Sequence, residues 1–313
     1  MKGLLLTAAL LLGTSVHAWE LRGDSPVIVE ARELYRTERC DAVIMRLPLG
    51  AIDRLPRRNR AEAYRLLGGA YERLGRGREA LSVYRLAEGL YPKDIALLTA
   101  LADLLHHNSL DEQARPFYER VLLIHPNNAV SNLGMAEILR IQGLNLRAQR
   151  HYEKALMDQP SDPVLWRGYA EVLGQRRDFK AASRALRNAL KISEDGPTLC
   201  TLAIFQRSAG EPEAYETLRK ASLKEPSRMD YRLRGALWLL EDGRIQESFH
   251  QANLLLKERP GDPLALWIRA NALLRRGKKE EAQKDLLLAA QAERTAPFVA
   301  RVSLSMLGQL ESR

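Results

Sequence analysis

The chain has 313 residues, of which 46% are hydrophobic, 28% charged and only 6% aromatic, and its formal net charge is +9. That hydrophobic share is too high for a disordered chain, and 20 Gly with 14 Pro are too few for a low-complexity polymer. Two cysteines, Cys40 and Cys200, exclude a disulfide-dense scaffold and a four-cysteine metal cluster.

The N-terminus comes first. Met1-Lys2 starts positive, Gly3 to Leu12 is an apolar run, and Val16-His17-Ala18 places small residues where a signal peptidase cuts. The expectation is a cleavable signal peptide over 1–18. The run is too short to span a bilayer, which takes about 20 apolar residues. No later stretch is long and apolar enough to be a membrane helix, so no integral membrane segment is expected after cleavage. Arginine far outnumbers lysine and no Asn-X-Ser/Thr sequon occurs. Together these point to a bacterial periplasmic protein, with secretion as the alternative. Residues 19–60 follow as a degenerate helical cap, with Ala31, Leu34 and Tyr35 inward and a second segment interrupted by Pro48 and Pro56.

From residue 61 a 34-residue beat takes over. Pro92, Pro126 and Pro160 keep it, and Pro226 with Pro260 repeats it. Gly68, Ala102, Ala136 and Ala170 mark the same step, as do Ala80, Ala114, Ala148 and Ala182, and Tyr84, Tyr118, Tyr152 and Leu186. A fixed period of this length signals stacked supersecondary units, none of which buries its apolar face alone. Within 61–94, Tyr64, Leu67, Gly68 and Tyr71 recur on one face of a first helix. Leu74 to Gly77 breaks it, Ala80, Tyr84 and Ala87 mark a second helix, and Tyr91-Pro92 ends that one. Asp94, Asn128, Asp162 and Asp262 are N-caps for each restart, with Pro163 and Pro263 at the first helical position.

The unit resembles the tetratricopeptide repeat. Residues 61–94 match all eight signature places with Tyr64, Leu67, Gly68, Tyr71, Ala80, Tyr84, Ala87 and Pro92. The units 95–128 and 129–162 depart only at Val121 and Asn132; 163–195, 196–228 and 263–296 fit with more departures; 229–262 fits poorly. The resemblance implies an all-α, right-handed superhelical solenoid of antiparallel helix pairs over 61–296. A capping helix over 297–313, with Val299, Val302, Leu304, Met306, Leu307 and Leu310, covers the end of the stack. Stacked repeats would keep Cys40 and Cys200 too far apart to pair.

Chemistry is sparse. There is no His-Glu-x-x-His, Gly-x-Ser-x-Gly, Cys-x-x-Cys or P-loop motif. Neighbours on a helix point about 100° apart, so His106-His107 do not chelate a metal together. The expectation is a non-enzymatic protein without metal or cofactor. The surplus of positive charge, concentrated in 140–191, suits an acidic partner or a solubilising surface, and nothing in the chain resembles a nucleic-acid reader.

In tetratricopeptide repeats the first helix of each pair lines a concave groove, and its second, fifth, ninth and twelfth places face the ligand. Carried onto this chain, the resemblance implies Glu62, Arg65, Asp103, His106, Glu137, Arg140, Arg167, Glu171 and Arg207 in a charged half. It implies Leu233, Leu237, Leu240, Leu264, Trp267, Asn271 and Leu274 in an apolar half, unless those leucines pack between repeats or under the last helix. The implied function is an adaptor that binds a protein or peptide partner in the envelope. It would aid assembly or stability of a complex for pili, secretion, polysaccharide export or cytochrome maturation. The alternative is a periplasmic binder of anionic polysaccharide or cell-wall chains.

Overall fold

The computed structural model describes residues 24–311. The expected export signal at 1–18 lies outside the described residues. All regular structure among the described residues is helical, and the chain divides into two compact units at Pro160.

The first unit contains α1 (Pro26–Arg36), α2 (Cys40–Arg46), a 3-10 turn (Leu49–Arg54), α3 (Arg57–Arg73), α4 (Gly77–Leu90), α5 (Ile95–His107), α6 (Asp111–Ile124), α7 (Ala129–Ile141) and α8 (Asn145–Asp158). Short connections force consecutive helices antiparallel. From α3 onward they pack in pairs, α3 on α4, α5 on α6 and α7 on α8. The first helices of successive pairs also touch, α3 with α5 and α5 with α7, so they share one face of the unit.

Local chemistry sets each boundary. Asp94 Oδ1 accepts from the backbone N–H of Leu97 at 3.0 Å, and Asn128 Oδ1 from that of Ser131 at 2.9 Å, capping α5 and α7. The turn inside each pair needs one left-handed residue. Gly75 supplies it at φ 71° and Gly143 at 74°, whereas Ser109 is held there at 60° without glycine's freedom. Helices close tightly where a glycine faces a tyrosine, within a pair at Gly68 and between successive pairs at Gly134. A methyl group at Gly68 would overlap the Tyr84 ring, and one at Gly134 would overlap the Tyr118 ring. Tyr64, Tyr84, Tyr118 and Tyr152 are all buried.

Asn132, which stands where the repeat signature has a large residue, is fully buried and fully used. Its Nδ2 donates to the carbonyls of Pro126 and Asn128, both at 2.9 Å, which leaves Oδ1 to accept from His151 Nδ1 at 2.9 Å. Burial holds the His151 imidazole below its ordinary pKa. Val121, the other departure, is completely buried core.

The second unit contains α9 (Pro163–Gln175), α10 (Phe179–Ile192), α11 (Gly196–Ser208), α12 (Ala214–Lys224), α13 (Met229–Glu241), α14 (Ile245–Glu258), α15 (Pro263–Arg275), α16 (Lys279–Ala290) and α17 (Pro297–Glu311). Asp162, Asp178, Asp195 and Asp262 cap α9, α10, α11 and α15. The first helices α13 and α15 touch, and α17 packs against α15 and α16. The poorly fitting repeat 229–262 has Gly235 on the helix face that meets α12. There a recess of about 220 Å³ opens beside Tyr215, Leu218, Tyr231 and Arg232. Between α15 and α16, Arg269 holds the buried Asp285 with two 2.7 Å bonds and Asn253 with one of 3.0 Å.

Candidate functional site

In the first unit the faces of α3, α5 and α7 enclose a recess of about 540 Å³. Arg65 and Glu72 border it from α3, and Ala96, Thr99, Ala100, Asp103 and His107 from α5. Asn128 and Val130 border it at the start of α7, and Tyr35 and Tyr84 complete the lining. The recess exists because α5 presents small side chains at 96, 99 and 100, three positions on one helical face.

Its electrostatics are organised by tyrosines from the second helices. Tyr118 on α6 donates its hydroxyl to Asp103 Oδ1 at 2.6 Å. Tyr152 on α8 donates to Glu137 on α7, and Tyr84 on α4 lies beside Glu72 on α3 and favours its charged form. Burial pushes the Asp103 carboxyl above the ordinary range, and the Tyr118 bond together with His107 and His106 opposes the rise. Burial raises Glu72 too, against the pull of His107, whose Nδ1 lies 4.0 Å from Glu72 Oε1. Arg140 closes on Glu137 at 2.5 Å, so that carboxylate is neutralised within its own helix. His106 Nδ1 turns instead to Asp111, the first residue of α6, at 2.7 Å.

In the second unit the groove-register arginines Arg167 and Arg207 are committed to ion pairs. Arg167 reaches Asp195 at 3.3 Å, and both line a recess of about 570 Å³ with Glu171, Thr198, Thr201 and Glu225. Arg207 pairs with Asp242 and Glu241, both at 2.9 Å, and lies 4.9 Å above the Trp238 ring. Leu233, Leu237, Leu264 and Trp267 are half-buried and pack on the core of α13 to α15 beside Phe249 and Val299. Leu240 is core. Asn271 donates to the Trp267 carbonyl at 2.9 Å and touches Met306 Sδ of α17 at 3.9 Å. The structure thus brings Arg65 and Asp103 to one recess and Arg167 and Glu171 to another. The leucines and Trp267 form a half-covered apolar strip that also supports α17.

A tetratricopeptide-repeat family model matches residues 61–104. The C-terminal part of a repeat-containing protein from Cytophaga hutchinsonii has the same fold, with TM-score 0.63 and 11% identity over 76% of this chain and 98% of that one. A tetratricopeptide repeat protein from Parabacteroides merdae superimposes with TM-score 0.53 and 16% identity over 78% of this chain and 98% of that one. The pilF protein of Pseudomonas aeruginosa does so with TM-score 0.52 and 16% identity over 68% and 97%. No curated protein matches the chain.

The chain has the fold of a tetratricopeptide-repeat solenoid, and residues 61–104 match the repeat itself. Proteins of this repeat are as a rule non-enzymatic interaction scaffolds, and this fold is suited to binding protein. Among the described residues no three His, Cys, Asp or Glu side chains gather as metal ligands, and both cysteines are buried free thiols. No described helix is long and apolar enough to cross a membrane.

Several residues of the repeat face were not singled out by groove register. Glu72, Thr99, Tyr84, Tyr118 and His107 all shape the first recess or its carboxylates. One signal was present in the sequence. Tyr118 follows Asp103 by 15 residues, and Tyr152 follows Glu137 by the same step.

Proposed function

We propose that this protein is an exported, non-enzymatic adaptor that binds an extended segment of a protein partner on the first-helix faces of its repeats. In that role it aids assembly or stability of a bacterial envelope complex. The observation that carries the proposal is the recess on α3, α5 and α7, lined by small and charged side chains held in place by second-helix tyrosines. Such a surface is pre-organised, so little ordering cost is paid on binding. Its charges set the orientation of the bound segment, and a few partly buried contacts set the affinity. The half-covered strip of Leu233, Leu237 and Trp267 supplies apolar contacts of the same kind. Export is supported by the signal-like residues 1–18.

The experiment is fractionation of cells followed by crosslinking and affinity purification from intact envelopes. The expected result is recovery in the periplasmic fraction with one or a few proteins captured in proportion. A chain that stays in the cytoplasmic fraction refutes the envelope role. Capture of polysaccharide alone, lost steeply with added salt and insensitive to Leu237→Asp, refutes the peptide-binding role.

A further inference from the structure

We propose that the recess on α3, α5 and α7 captures a lysine or arginine side chain of the partner segment, with Asp103 and Glu72 as its counter-ions. This deepens the protein-binding reading above and rests on it.

The chain uses one device twice in the first unit, a carboxylate on a first helix accepting a hydroxyl from a second-helix tyrosine. At Glu137 the protein supplies the counter-charge itself, through Arg140 at 2.5 Å. At Asp103 it does not. Among the described residues Asp103 has no arginine or lysine partner, and only its Oδ1 is engaged, by Tyr118 at 2.6 Å. Among the described residues the one ion-pair contact of Glu72 is an imidazole, His107 Nδ1 at 4.0 Å, with Arg73 acting on it more weakly through space. The adjacent Arg73 is spent on Tyr35, 3.9 Å above its ring and 2.8 Å from its carbonyl. Arg65, on the wall of the recess, leans to Glu62 at 3.8 Å. Two carboxylates partly removed from water and lacking a cation are costly to keep, because desolvation is repaid only by a charged partner.

The space beside them has the shape of such a partner. Ala96, Thr99 and Ala100 leave an open strip along α5, and Asp103 stands one turn beyond Thr99 on the same face. A basic side chain buries its aliphatic stem on apolar surface and keeps its head polar. Laid along that strip, it brings its N–H donors to the free oxygen of Asp103 and to Glu72. At about 540 Å³ the recess is large enough for that side chain together with the backbone that carries it. A metal ion is a poorer occupant, since no third ligand joins the two carboxylates among the described residues.

The test uses the full chain and an array of short random peptides, acetylated and amidated so that their termini carry no charge. Binding is read at about 0.15 M salt, where exposed charges are largely screened. Wild type is expected to retain peptides with a Lys or Arg fixed at one position. Asp103→Asn should weaken those peptides about tenfold or more, as loss of a charge-assisted hydrogen bond does. Glu72→Gln should weaken them less, and Glu137→Gln should leave the preference unchanged. Asp103→Asn still accepts from Tyr118 and sheds a desolvated charge, so its Tm should equal or exceed that of wild type. Retained peptides with no basic position overturn this inference and leave the protein-binding reading standing. A basic preference that survives Asp103→Asn, or a lowered Tm with that preference intact, assigns Asp103 to structure and overturns it as well. If no peptide is retained, both readings fall.

Discussion

Tyr118→Phe is a sharp probe of the first-helix face, because it removes one oxygen and nothing else. The ring still fills the space left by Gly134, and only the 2.6 Å bond to Asp103 is lost. A hydrogen bond to a charged group contributes about 1.5–3 kcal/mol, and Asp103 is only half-buried, so about 1.5 kcal/mol is expected at neutral pH. The pH dependence is the stronger signature. Burial raises the Asp103 pKa above its ordinary value, and the Tyr118 hydroxyl opposes that rise. Without the hydroxyl the folded-state pKa climbs further above the unfolded value of about 3.9. A carboxyl raised in this way contributes stability below its unfolded pKa and loses it as pH rises through the folded one. The deficit of Tyr118→Phe should therefore be largest near about pH 8 and shrink as pH falls toward about 4. Urea unfolding followed by helical circular dichroism across that range measures it. A deficit that does not change with pH, or one below about 0.3 kcal/mol throughout, would refute the account of Asp103 as a desolvated, tyrosine-held carboxylate.

Two further perturbations test the packing that builds the faces. Gly68→Ala overlaps the Tyr84 ring and should destabilise by about 1–2 kcal/mol even after the gain in helix propensity. Gly235→Ala meets its nearest atom, on Tyr215, at 3.6 Å and should stabilise by about 0.5–1 kcal/mol; thermal melts of the pair should therefore move in opposite directions. Arg269→Met leaves Asp285 buried without its two 2.7 Å bonds and should cost about 3–5 kcal/mol. Adding Asp285→Leu should recover most of that loss in the same denaturation assay, because the buried charge is then gone.

The repeat architecture was legible because its determinants are local. Proline and alanine spacing, the caps at Asp94, Asn128, Asp162 and Asp262, and glycines such as Gly75 act within one helix pair and survive in a single sequence. The functional face was less legible, because register places a residue on a face but its neighbours decide where the side chain goes. His106 has groove register, yet Asp111, five residues on at the start of α6, draws it away. Arg207 also has groove register, and Glu241 with Asp242, more than thirty residues on, hold it. The reverse happens at Glu72 and Asp103. Their importance comes from the neighbouring Tyr84 and Tyr118, which the repeat signature marks only as packing positions, and from the missing arginine, which it does not mark at all. Asn132 reads as a departure from the pattern, and only the position of His151 shows how it is satisfied.

The central claim is that the first-helix faces hold a partner segment. Site-specific photo-crosslinking in living cells tests it most directly. Probes at Thr99 and Leu237 sit on those faces, and probes at Leu123 and Met157, which are 84% and 72% exposed on second helices, serve as controls. The account predicts a partner adduct from the first-helix probes and none from the controls. Adducts from Leu123 or Met157 with none from Thr99 and Leu237 would contradict it.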